Sequence, residues 1–171
     1  PARFMLVCAM NPCPCGTQGQ QKHSCRCTPN QIYRYRSKIS GPLLDRIDIH
    51  IEVPAIEYHE LSSDVPAESS AQIRERIDKA RLRQSERFCA AGGSTSSTKD
   101  DGVLYNAQMP HRQVRKLCTL GKKENKLLKI AMREFHLSAR AYDKILKVSR
   151  TIADSAAAER IITAQLAEAI Q

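Results

Sequence analysis

A chain of 171 residues, 42% hydrophobic and 26% charged, has the composition of an ordinary globular protein, which excludes a fibrous or low-complexity polymer. No apolar run approaches the ~20 residues that span a bilayer, and the opening Pro1-Ala2-Arg3 has neither initiator methionine nor secretory signal, so a cytoplasmic piece of a longer protein is expected. The net charge of +9, from 27 Lys+Arg against 18 Asp+Glu, favours polyanionic partners, either nucleic acid or nucleotide phosphates, without choosing between them.

Phe4 to Met10 read as a buried apolar strand that ends in Asn11-Pro12. Ligands in open α/β sheets sit at the carboxyl ends of strands, which makes Asn11 a site candidate; the same dipeptide also serves simply to start a turn. Five of the seven cysteines fall in the first 27 residues. Cys13-Pro14-Cys15-Gly16 and Cys25-Arg26-Cys27 form C-x-C, a nine-residue spacer and C-x-C again. Four thiolates gathered across a short loop suit tetrahedral zinc, Gly16 permits a tight turn, and His23 could replace one ligand. Four reduced thiols packed under a loop, or bridged only on purification, fit the same pattern. Cys8, Cys89 and Cys118 lie on apolar faces and are expected to be core residues.

Tyr33-Arg34-Tyr35-Arg36-Ser37-Lys38 interleaves aromatic rings with cations, a pattern that stacks bases and binds phosphates. Tyr33, Arg34, Arg36 and Lys38 are therefore candidate nucleic-acid contacts. Ser40-Gly41-Pro42-Leu43-Leu44-Asp45-Arg46 places an arginine in a turn ahead of a second strand, Ile49 to Val53, which Pro54 closes. An irregular connection runs from there to Pro66.

At Ser69 the pattern turns helical. Ser69-Ser70-Ala71-Gln72 is a capping box, and Ile73, Ile77, Ala80, Gln84 and Phe88 mark one face of a long helix. Its Arg74, Arg76, Lys79, Arg81, Arg83 and Arg87 suit phosphate contact, while Glu75, Asp78 and Glu86 on the same helix suit a solvated, salt-bridged face. Gly92 to Thr98 has the composition of a flexible linker. A helical set follows: one helix near Pro110 with Val114, Leu117 and Cys118 inward; one with Leu127, Leu128, Ala131, Met132 and Phe135; one capped by Ser138 and running through Tyr142, Ile145, Leu146, Ser149, Ile152 and Ala153; and one from Thr163 with Leu166 and Ile170. Short connections predict a small antiparallel bundle.

The string Leu6 to Gly16, with Cys25-Arg26-Cys27-Thr28-Pro29, Ser40 to Asp48, Asn106-Ala107-Gln108-Met109-Pro110 and the helix Leu137 to Asp154, resembles the magnesium-chelatase-like AAA+ ATPases over essentially the whole chain. The resemblance implies an α+β, mainly α, fold. Residues 1–66 would carry edge strands of a P-loop AAA+ α/β domain with the cysteine loop, 67–91 a connecting basic helix, 92–105 a linker and 106–171 an all-helical lid. It also implies that Asn11 is sensor 1, that Arg46 is an arginine finger acting on a neighbouring subunit's ATP, and that Arg140 is the sensor 2 arginine. Taken by themselves, Arg46 could pair with Asp45 or Asp48, and Arg140 could be a solvated charge. No Gly-x-x-x-x-Gly-Lys-Ser/Thr occurs here, so the resemblance implies that ATP and magnesium are held mainly by upstream residues and that this piece alone is inactive. The family divides into hexameric DNA motors, which move strand junctions, and true chelatase subunits, which drive magnesium insertion into porphyrin. The cysteine loop favours the DNA motor, and a zinc-stabilised interaction module is a third reading.

Overall fold

The computed structural model describes residues 4–19, 24–54, 62, 67–90 and 105–170. They fall into two units, Pro1–Val65 and Pro66–Gln171. His23, the linker at 92–98 and most of the connection to Pro66 lie outside the described residues.

In the first unit, Thr28 caps helix α1 (Pro29–Arg36). The Thr28 hydroxyl accepts from the Gln31 N–H at 3.3 Å, and the Gln31 side chain accepts from the Thr28 N–H at 2.9 Å. That reciprocal pair is a capping box, with Pro29 at the first turn, where its missing N–H costs nothing. Ser40 opens a single turn, α2 (Gly41–Leu44), ahead of Arg46. The expected strands do not form: no strand occurs among the described residues, and Phe4–Met10 and Ile49–Val53 have no regular structure. Met5 is 88% exposed and Val53 85%. A strand exists only when a neighbour takes up its alternating N–H and C=O groups, and the described part of the chain lays no such neighbour beside either segment. Cys8, expected in the core, is exposed for the same reason.

The second unit is helical. Ser69 and Gln72 make the expected capping box, Gln72 N–H to the Ser69 hydroxyl at 3.3 Å and Ser69 N–H to the Gln72 side chain at 2.8 Å. They start α3 (Ser70–Ala90). A 3₁₀ turn (Asn106–Gln108) leads to α4 (His111–Leu117), α5 (Lys122–Glu134), α6 (Ala139–Ser155) and α7 (Thr163–Ile170). Ser138 caps α6 by accepting the Ala141 N–H at 3.1 Å. Two left-handed residues, His136 and Ala157, end α5 and α6. Beside them the Leu137 N–H reaches the Met132 carbonyl and the Ala158 N–H the Ala153 carbonyl, the six-to-one bond that closes a helix end. The apolar core joins Phe88, Met109, Val114, Cys118, Leu128, Leu146 and Leu166. Several expected inward positions differ. Ile73 and Ile77 are exposed because only the C-terminal half of α3 buries side chains, Phe135 is exposed past the end of α5, and Cys89 faces outward.

A polar network is buried beside that core. Asp154 is fully buried and accepts from Arg87 on both carboxylate oxygens, from Arg150 Nε at 3.1 Å and from Asn106 Nδ2 at 2.8 Å. Arg150 also donates to the carbonyls of Glu159 at 2.8 Å and Ala158 at 2.5 Å, tying down the α6–α7 connection. Arg83 donates to the Asp154 carbonyl at 3.0 Å, and the Asn106 N–H to the Gln84 side chain at 3.1 Å. Charged groups removed from water persist where their donors and acceptors are met this fully. The network joins α3, the 3₁₀ turn and α6.

Candidate functional site

Cys13-Pro14-Cys15-Gly16 closes on itself, the Gly16 N–H donating to the Cys13 carbonyl at 3.0 Å. Gly16 has φ +78, a conformation that side-chain-bearing residues rarely adopt. This turn delivers Cys13 and Cys15. Cys25 and Cys27 arrive immediately before the Thr28 cap of α1. The four Sγ atoms lie within 4.8 Å of one another: Cys13 to Cys15 is 3.3 Å, Cys13 to Cys25 3.7 Å and Cys15 to Cys25 3.6 Å. All four are free thiols. A donor set of this kind could hold a metal ion.

The thiols share the site unequally. Cys15 is pulled down to about 5, chiefly by the Thr17 hydroxyl at 3.1 Å and then by the N–H groups of Thr17 and Arg26. Cys27 is pushed up to about 12, chiefly by the neighbouring Cys15. Burial and the Cys15 thiol push Cys13 upward, but the Gln18 N–H, the Cys25 thiol and the Cys15 N–H carry it below its ordinary range. For Cys25 the Cys27 N–H works downward, yet burial and its sulfur neighbours leave it raised. Crowded thiols resist ionising together, because each negative charge disfavours the next.

Asn11 is exposed, and its side-chain amide lies over the turn: a Cβ on Gly16 would stand 3.6 Å from Asn11 Nδ2. Arg36 reaches from α1 to the same segment, Nε donating to the Pro12 carbonyl at 3.3 Å and Nη2 to the Gln18 side chain at 3.1 Å. Tyr33, Arg34 and Lys38 are exposed. Arg26, Arg34, Tyr35 and Lys38 line the same shallow depression as Cys15 and Cys27. Arg46 donates to the Pro42 carbonyl at 3.0 Å and is exposed beyond α2. Arg140 stands in the first turn of α6, two residues after the Ser138 cap. Asn11 and Arg46 thus belong to the first unit and Arg140 to the second.

The cations of α3 are largely spoken for. Arg83 and Arg87 turn into the buried network. Arg76 pairs with Glu68 at 2.9 Å, Lys79 with Glu75 at 2.6 Å, and Arg81 lies 5.8 Å from the Tyr105 ring centre. Sequence reasoning missed that Arg87, Arg150, Asp154 and Asn106 act together, although Asn106 and the Arg150–Asp154 run stood out as motifs. It also missed α1, whose signal was the Thr28-Pro29-x-Gln31 box.

A basic four-cysteine unit and a helical bundle locked by a buried Arg–Asp–Arg cluster define the class of this chain. The family model described as magnesium chelatase, subunit ChlI, matches residues 1–61, and the one described as magnesium chelatase, subunit ChlI C-terminal, matches residues 67–171. The chain belongs to this magnesium chelatase ChlI family of AAA+ ATPases. It is 41% identical to the competence protein ComM of Haemophilus influenzae, with 99% of this chain and 30% of that protein covered. It is 39% identical to the uncharacterized protein YifB of Escherichia coli, covering 99% of this chain and 31% of YifB. A protein of Mycobacterium tuberculosis, Rv2897c, is 33% identical over 91% of this chain and 28% of its own length. The chain therefore spans under a third of the length of these curated relatives. No helix among the described residues is long and apolar enough to cross a membrane.

Proposed function

We propose that this chain is the sensor and lid portion of an AAA+ ATPase that, as a hexamer, couples ATP hydrolysis to branch migration or unwinding of DNA. The observation that carries the proposal is the 41% identity to a competence protein along 99% of the chain, since competence is the uptake and recombination of DNA. In this reading residues 1–66 complete the nucleotide-binding core, 67–91 and the linker at 92–105 connect, and 106–171 form the lid. The family description favours a second reading, an ATPase subunit of magnesium chelatase.

Bound ATP supplies the phosphoryl group, whose transfer needs an in-line water and neutralisation of developing charge. The Asn11 amide can orient that water through a hydrogen bond without itself competing as a nucleophile. Arg46 and Arg140 suit the neutralising role, because a guanidinium is always charged and meets phosphate oxygens in a two-pronged fork. Arg46 lies exposed on a short turn with one nitrogen braced on the Pro42 carbonyl, an arrangement suited to reaching a neighbouring subunit. Arg140 lies in the first turn of α6, where backbone N–H groups also favour an anion. Arg26, Arg34 and Lys38 around one depression suit contact with a nucleic-acid backbone.

The test is made in the complete protein. Arg46→Ala should lower subunit-dependent ATP turnover by about 10³-fold or more, the scale of an arginine supplied in trans, with nucleotide binding retained. Unchanged turnover removes the finger. Turnover stimulated by porphyrin and indifferent to DNA replaces the DNA motor with the chelatase reading.

A further inference from the structure

We propose that Cys13, Cys15, Cys25 and Cys27 bind one zinc ion as a tetrahedral tetrathiolate, and that this ion is the organising centre of the first unit, tying the Cys13–Gly16 turn, beside which Asn11 lies, to the start of α1.

Three observations carry the inference. The first is distance. Zinc–sulfur bonds of ≈ 2.3 Å in a tetrahedron place the sulfurs about 3.8 Å apart. The observed separations of 3.3, 3.6 and 3.7 Å approach that edge length, and they are far beyond the ≈ 2.05 Å of a disulfide. The second is the surroundings. Backbone N–H groups of Thr17, Gln18 and Arg26 point at the sulfurs, the supporting shell that orients metal ligands and spreads thiolate charge.

The third is where the burial falls. Among the described residues of the first unit, Cys13 is the only buried side chain, and the large apolar residues Phe4, Met5, Val7, Ile51 and Val53 are exposed. The burial that the described part of this unit does achieve is therefore centred on the cysteine cluster, where a metal would tie the loop to the helix. Zinc suits four sulfur donors and needs no redox chemistry, whereas magnesium and calcium select oxygen.

Asn11 is two residues before the first ligand, and its amide lies beside Gly16, which directly follows the second ligand, Cys15. Cys27 directly precedes the Thr28 cap, and Arg36 returns from α1 to the Pro12 carbonyl. The ion therefore closes a ring of contacts running from Asn11 through the cysteines and α1 back to Pro12. The effect on Asn11 bears on catalysis only through the sensor reading above; the metal site itself stands without it.

The experiment is elemental analysis of the 171-residue chain purified under reducing conditions, followed by hydrogen–deuterium exchange before and after chelation. One zinc per chain is expected. A Cys13→Ser, Cys27→Ser double variant should hold none, and Cys8→Ser with Cys89→Ser should hold as much as the parent. Cobalt in place of zinc should give the intense visible absorption of a tetrahedral cobalt–thiolate centre. Chelation should speed exchange over residues 11–19 and 25–36 by about tenfold or more, as loss of a folding-linked metal requires, and leave residues 105–170 unchanged. Absence of zinc with no uptake from a zinc buffer overturns the site, as does zinc retained by the Cys13→Ser, Cys27→Ser variant. Zinc bound with unchanged exchange at residues 11–19 overturns the organising role. In the complete protein, loss of ATPase activity in Asn11→Ala with the zinc content intact, or its persistence, bears on the sensor reading alone.

Discussion

Asp154→Ala is the sharpest probe of how the helical unit is held. The carboxylate is fully buried and is met by two guanidinium groups and one amide. Arg150 is itself only 3% exposed, so once the carboxylate is gone its charge has no counter-ion and no route to water. Arg87 is half-buried and can turn outward, which confines most of the penalty to Arg150. Breaking a buried pair from one side costs about 3–5 kcal/mol. In a unit of this size that lowers Tm by roughly 15–25 °C. Urea unfolding of the chain followed by far-UV circular dichroism gives the free energy, and an unchanged slope excludes a change in the denatured state. Arg150→Met combined with Asp154→Leu removes both charges and should recover at least about 1 kcal/mol relative to Asp154→Ala. An Asp154→Ala cost below about 1 kcal/mol, or a double variant less stable than Asp154→Ala, refutes the claim that an uncompensated guanidinium is the source of the loss.

Burial pushes the Cys118 thiol up from 9.0 to about 11. The folded state therefore holds this proton more tightly, and its stabilising effect is full below pH 9 and fades as pH rises toward 11. The loss across that window is about 2–3 kcal/mol, and Cys118→Ala should show a correspondingly shallower decline in stability when unfolding is measured at about pH 8 and about pH 10.5. Ser138→Ala removes the acceptor for the Ala141 N–H and should cost about 1 kcal/mol, read by thermal unfolding, with Ser138→Asp close to the parent. In the complete protein, replacing Arg34 and Lys38 together with Gln should weaken DNA binding across sequences and reduce the slope of log affinity against log salt by about 2; an unchanged slope moves the contact elsewhere.

The helix starts were legible because a cap is a local event. Ser69 and Gln72, or Ser138 and the N–H three residues on, meet whatever the rest of the chain does. Thr28 and Gln31 carry the same signal, but the cysteine loop and the two expected strands drew the reading of that region toward sheet. The spacing of Cys13, Cys15, Cys25 and Cys27 likewise suggested a shared metal, since short loops leave four thiols few places to go. The strands at Phe4–Met10 and Ile49–Val53 failed for the opposite reason. Their apolar composition fits a strand, but strand formation depends on a partner backbone, which neither segment supplies for itself.

Charge was where sequence reasoning reached its limit. The six cations of α3 look alike along the chain, and periodicity does not distinguish a solvated arginine from one turned inward. Arg87 is 67 residues from Asp154, and only packing of α3 against α6 brings them together. The chain by itself determined where helices begin, which residues are thiol donors and which are basic. The tertiary structure decided which arginines are spent on a buried carboxylate and which stay in water, because the cost of desolvating a charge depends on neighbours far away in sequence.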